Sequence, residues 1–305
     1  MKIGLHDAEK EHFRKTKTFP NFALMKISSW HKQRGDAVEW WNPLFRYDRV
    51  YSSKIFDFTP QNPYLPPDTV RGGTGYDIKS CLPEEIDEMY PDYTIYPECD
   101  YAIGFLTRGC IRSCPWCIVP EKEGMIRPYR HWQEVVRPDT KKLVLMDNNI
   151  LAIDFGIRQL EELSKTDYKI DLNQGMDARI VDENLVRLFG KLHWIQFIRF
   201  SCDTISQVPY IQRIYEEFKR QGIGTSKIFV YFLVRKDLQE ASRRLEELKH
   251  LKGISIYAQA EQNPRLGVVP TKAQKEFACR YIYGRCYKTE TWAEYCKRKG
   301  MEEFL

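Results

Sequence analysis

The sequence predicts an α/β protein, in which a small α/β domain precedes an open, partial (β/α)6 barrel. Three observations carry this expectation. From about residue 101 onward, a short apolar run, a polar turn and a segment with helical spacing alternate six times. Several of those runs are almost continuously apolar, as parallel strands covered on both faces are. Residues 1–98 follow a different pattern. Alternating strands and helices imply a parallel sheet. Six units are too few for the eight of a closed barrel, hence the open form.

The expected strands are YAIGFL from Tyr101, KLVLMD from Lys142, KIDLNQ from Lys169, IQFIRFSC from Ile195, KIFVYFLV from Lys227 and ISIYAQAE from Ile254. Between them, Leu238 to Lys252 carries Leu238, Ala241, Leu245, Leu248 and Leu251 on one stripe, with Gly253 at a C-cap position. Pro209 to Arg220 turns Ile211, Ile214, Tyr215 and Phe218 inward, and Asp182 is placed to cap a helix through Leu188. In the first hundred residues, KIGL, AVEWW and DRVYSS read as short strands, and Pro20 to Gln33 reads as a helix ending before Gly35. Residues 57–98 are rich in Pro, Gly, Asp and Tyr and read as an irregular connection. The expected domains are 1–98, 99–265 and a helical extension, 266–305.

The chain has 305 residues, 43% of them hydrophobic, enough for a substantial core. A net charge of +5 is a mild bias and no nucleic-acid signature. No basic start leads an apolar stretch and no run reaches about 18 apolar residues, so a soluble, cytoplasmic protein without membrane contact is expected. Nine cysteines in such a chain argue against a disulfide framework and for metal or redox chemistry.

The chemistry concentrates in LTRGCIRSCPWCIVPEKEG, which follows the first barrel strand. Its cysteines, Cys110, Cys114 and Cys117, are spaced C-x3-C-x2-C. Three thiolates on one short loop can ligate three irons of a cubane and leave the fourth open to a small molecule. In (β/α) barrels, ligands collect at the carboxyl ends of the strands, where this loop falls. A zinc site would want a second paired unit, and Cys99 or Cys81 would have to complete it.

With Trp116 before the last cysteine, the motif resembles the signature of the radical S-adenosylmethionine (SAM) superfamily, over roughly residues 100–262. The resemblance implies a partial six-stranded barrel and a [4Fe-4S] cluster whose open iron is chelated by SAM. It further implies reductive cleavage of SAM to a 5′-deoxyadenosyl radical, which abstracts hydrogen from substrate, with a flavodoxin- or ferredoxin-type electron donor. Trp116 would lie by the adenine. Where many members carry a Gly-Gly-Glu turn for the SAM amino group, this chain has Met146-Asp147-Asn148-Asn149, similar to the branch with a cobalamin-binding or cobalamin-like N-terminal domain. Asp147 and Asn148 are the candidates there, although Asp147 also suits a helix N-cap. The Asp-x-His-x-x-Gly pattern is absent from residues 1–98, so a truncated domain without cobalamin, shaping the site's mouth, is expected.

Later strand ends are also polar. Arg179, Arg199 and Ser201 are candidate SAM ligands, the arginines because they pair bidentately with a carboxylate. Asn173, Gln174, Asp177, Asp203, Gln259, Glu261 and Gln262 are candidate substrate ligands, suited to a small polar molecule with ring N–H groups and a cationic amine. No catalytic side chain is singled out. The compact layout is similar to that of the queuine lyases of this superfamily, which release 7-aminomethyl-7-deazaguanine. The alternatives are a radical SAM enzyme acting on another nucleoside or small metabolite, the same fold kept as a structural or sensing module, and an iron–sulfur or zinc nucleic-acid-binding protein without catalysis. His6 and Asp7 end the first strand and read as turn residues or as part of the site's lining, and the other histidines as structural. Cys279, Cys286 and Cys296 are loosely spaced for an auxiliary cluster. Arg280, Tyr281, Tyr283, Arg285, Tyr287, Lys288 and Trp292 suit either nucleic-acid contact or, preferably, amphipathic helices closing the barrel.

Overall fold

The computed structural model describes residues 1–13, 19–282 and 286–305, the side chain of Cys286 excepted. The chain divides into two compact units, Met1–Asp100 and Tyr101–Leu305.

The first unit is a parallel sheet with short helices. Strand β1 (Lys2–Asp7) leads into helix α1 (Ala8–His12), and helix α2 (Phe22–Gln33) precedes strands β2 (Ala37–Trp40), β3 (Arg49–Ser53) and β4 (Val70–Gly72), with helix α3 (Glu84–Asp87) beyond. Their order is β2-β1-β3-β4. Asn21 caps α2 by accepting from Leu24 N, which is why the helix begins after the Pro20 start that the sequence suggests. Strand β4 lies inside the segment expected to be irregular. Its three residues have no periodicity to read, and they are a strand because they pair with β3.

The second unit alternates strands and helices. The strands are β5 (Ala102–Gly104), the two-residue pair β6 (Thr107–Arg108) and β7 (Arg127–Pro128), then β8 (Lys142–Leu145), β9 (Lys169–Leu172), β10 (Met176–Asp177), β11 (His193–Trp194), β12 (Ile198–Ser201), β13 (Ile228–Val234) and β14 (Ser255–Ala260). The helices are α4 (Val119–Lys122), α5 (Trp132–Val135), α6 (Asp154–Leu163), α7 (Glu183–Lys191), α8 (Val208–Arg220), α9 (Leu238–Leu248), α10 (Lys272–Tyr281) and α11 (Trp292–Lys299). Asp182 caps α7 through Leu185 N, and the helix runs on past Leu188 to Lys191. Helix α9 stops at Leu248, short of Lys252, and Gly253 follows with φ of +94°.

Two four-stranded parallel sheets result, β11-β9-β8-β5 and β10-β12-β13-β14, and among the described residues no closed barrel. The segments around the third and fourth expected runs each carry two strands, separated at residues 173–175 and 195–197, with β10 lying beyond the third run and β11 ahead of the fourth. The first halves pair in one sheet (β9 with β11) and the second halves in the other (β10 with β12), so the same two segments carry both sheets.

Alternation along the strands sorts the two faces. Leu143, Leu145, Ile170, Leu172, Ile198, Phe200, Val230, Phe232, Ile256 and Ala258 are buried in the main core with helix residues such as Leu160, Phe189, Ile214, Phe218 and Leu245. Their sheet neighbours Asp171, Arg199, Ser201, Phe229, Tyr231, Tyr257 and Gln259 belong to the other face. The sequence suggested two apolar faces; the second is instead polar and aromatic. In the tail, Tyr281, Tyr287 and Trp292 are buried in the same core, consistent with amphipathic helices. Tyr283, Arg285 and the Cys286 side chain lie outside the described residues. Among the described residues, no helix is long and apolar enough to cross a membrane.

Candidate functional site

The cysteine loop leaves the end of β5 and is closed at its base by β6 against β7. Gly109 begins it with φ of +87°, and a Cβ there would meet Met125 O at 2.4 Å, so glycine is required for the return strand to approach. Glu123 ties the loop's far side back. Its carboxylate accepts from Gly109 N and from Asn148 Nδ2, both at 2.9 Å, and pairs with Arg108 at 2.8 Å.

Each thiol faces an N–H donor. Cys110 Sγ accepts from Arg112 N at 3.3 Å and from Asn149 Nδ2 at 3.5 Å. The Arg179 guanidinium hydrogen-bonds Cys114, and Val119 N–H points at Cys117. Burial pushes the Cys114 and Cys117 thiols up, and these donors pull against it. Among the described residues no three His, Cys, Asp or Glu side chains are gathered tightly enough to hold one metal ion. The three thiols do interact electrostatically across the loop. A wider cubane, whose irons take one thiolate each, fits this donor set, because N–H groups aimed at the sulfurs suit thiolates.

The ends of other strands converge on the loop. At the end of β10, Asp177 accepts from Arg112 Nε at 2.8 Å and from Arg179 Nε at 2.6 Å. Burial opposes its charge, yet these two arginines hold its carboxyl below the usual range. After β13, the Arg235 guanidinium sits 4.8 Å from the Trp116 ring, a cation–π contact, and 3.7 Å from Glu261 beyond β14. Arg265 pairs with Glu121 of the loop at 2.9 Å. Asp203, after β12, is raised by burial, against Arg244, Arg179 and Arg235, and it also feels the charges of Cys114 and Cys117.

Other expected residues sit elsewhere. Asp147 caps no helix. It is 6% exposed and accepts from Leu106 N, from Thr107 N and from Thr107 Oγ1 at 2.7 Å, which spends its carboxylate on the chain leading into the loop. Burial raises it to about 6 despite those donors. Arg199, the proposed carboxylate clamp, is instead paired with Asp171 one layer lower on the polar face, beside the Phe229 ring. Ser201 Oγ donates to Met176 O at 3.3 Å, so it serves the β10 edge. The Asn173 carbonyl accepts from Tyr231 Oη at 3.0 Å. Gln174, Gln259 and Gln262 are exposed. Sequence reasoning passed over Arg112, Glu123, Asn149 and Arg235. The first two lie within the quoted loop and Asn149 within the quoted turn, but their partners are 14 to 65 residues away.

A comparison with models of known protein families finds no match, and none is found among curated proteins.

Proposed function

We propose that this protein is a radical SAM enzyme. The observation that carries the reading is a C-x3-C-x2-C loop at the carboxyl end of a parallel strand, with an N–H donor against each sulfur. Cys110, Cys114 and Cys117 would hold a [4Fe-4S] cluster, which when bound supplies the electron that splits SAM. Trp116, braced by Arg235, would receive the adenine, and Arg179, beside Cys114, would exchange Asp177 for the SAM carboxylate. The polar turn after β8 would take the amino group through Asn148, since the Asp147 carboxylate is already engaged. The two parallel sheets, sharing two strand segments, support one arc of six strands, the partial (β/α)6 form.

For substrate we infer a planar, hydrogen-bonding heterocycle, with queuine the specific candidate. Phe229, Tyr231 and Tyr257, with ring centroids 5.3 to 5.9 Å apart, give the polar face an aromatic floor. Asp203 and Glu261 supply carboxylates for ring N–H groups and a secondary ammonium. Polar partners of this kind discriminate strongly, because an analogue that leaves them unpaired is penalised. Anaerobically reconstituted protein, incubated with SAM, dithionite and queuine, should yield 7-aminomethyl-7-deazaguanine together with 5′-deoxyadenosine. Formation of 5′-deoxyadenosine without that product would reject queuine and favour another nucleoside or metabolite. Absence of 5′-deoxyadenosine with every reductant would reject the radical reading.

A further inference from the structure

Cys110 Sγ has two donors of different kinds. Arg112 N is fixed by the loop's own backbone, whereas Asn149 Nδ2 comes from another part of the chain, beyond β8. Asn149 is 2% exposed, and its Oδ1 is buried without a hydrogen-bond partner. The amide orientation is dictated by charge, because turning Oδ1 toward the sulfur would set two electron-rich atoms together. The residue is also held in place. Asn149 O accepts from Ala152 N at 3.0 Å, and Ile150 and Leu151, next to it, are 1% and 4% exposed. Gly156 lets helix α6 close over this turn, since a Cβ there would lie 2.1 Å from Ile150 O. A buried amide with one end on a thiol and the other end unspent is costly as mere packing.

We propose that Asn149 is a positioning residue that raises the reduction potential of a cluster bound through Cys110. This rests on the iron–sulfur reading above and adds to it a residue that sets the poise of the cluster. The physical cause is that an N–H donor on a ligating sulfur stabilises the reduced cluster, which is the more negative state, more than the oxidised one. Removing the donor should disfavour reduction by about tenfold, which for a one-electron couple is about 59 mV toward more negative potential.

The test compares anaerobically reconstituted wild type, Asn149→Leu and Asn149→Asp by iron and sulfide content, circular dichroism and a redox titration followed by electron paramagnetic resonance. Both variants should keep the cluster and titrate at lower potential than wild type, the aspartate lowest because it adds a negative charge. Should Asn149→Leu fail to fold, Asn149→Asp has the same shape and still tests the claim. Fully loaded variants titrating with wild type would overturn the role of Asn149 while leaving the cluster standing. A wild type that takes up no iron and sulfide would overturn both.

Discussion

The two units end their parallel strands in polar residues, and the two ends are finished differently. In the first unit, His6 Nδ1 meets Ser52 Oγ at 2.8 Å and Nε2 meets Glu11 at 2.6 Å, while Ser52 also meets Tyr76 Oη at 2.9 Å. Asn62 donates to Glu11 at 3.0 Å, and Tyr96 Oη donates to Asp7 at 2.5 Å. Asp7 also caps α1 by accepting from Lys10 N. These groups bond one another, and a polar network of that kind specifies a structure. In the second unit, the strand ends hold a loop of thiols, leave Asn149 Oδ1 unspent, and set Arg235 beside the Trp116 ring and 3.7 Å from Glu261. The first set of groups is spent on one another, while in the second Asn149 Oδ1 is left without a partner.

That contrast can be broken by substitution at either end, and the largest effect belongs to the loop. Cys114→Ala should drop reconstituted iron from about four per chain to background, whereas Cys202→Ala should leave it unchanged. Cys202 is buried in the core, where desolvation pushes its thiol up to about 12. Retention of full iron by Cys114→Ala would remove the distinction between the two ends.

The next effect is on stability, through Asp147. Its folded carboxyl titrates at about 6 against 3.8 for the free group, so the folded state binds the proton more tightly. Stability should therefore fall as pH rises from about 4 to about 6, by roughly 3 kcal/mol, and level off above. Urea unfolding across that range should show this slope, and Asp147→Asn should lose it. A slope of the opposite sign would mean that the three donors outweigh burial.

At the first unit's strand ends, His6→Ala should cost about 1–3 kcal/mol by removing one partner each from Ser52 and Glu11 and leaving a cavity, measured by urea unfolding, with iron content unaffected. Loss of iron in that variant at full folding would overturn the separation drawn between the two sets of strand ends. The smallest expectation is a null one. Hydroxocobalamin added to the whole protein should show no tight, stoichiometric binding by equilibrium dialysis, and stoichiometric binding would show that the first unit is an open end as well.

Much of this architecture is written in local sequence. Helices α7, α8 and α9 are marked by their apolar stripes, and Asp182 announces its helix, because periodicity and capping involve residues within a turn or two of each other. The cysteine loop is likewise visible as a motif, with a strand before it. What the chain does not announce is pairing at a distance. Strand β4 exists through its partner, and the breaks at residues 173–175 and 195–197 arise from two neighbouring segments changing sheet together. The polar strand ends were recognisable as a set, but their allegiances depend on register. Arg199 reaches Asp171, 28 residues back, and Asp147 turns inward to Leu106 and Thr107. Asn149 meets Cys110 across 39 residues. A side chain's type limits the bonds it can form, but the folded chain decides which partner comes within the roughly 3 Å reach of a hydrogen bond.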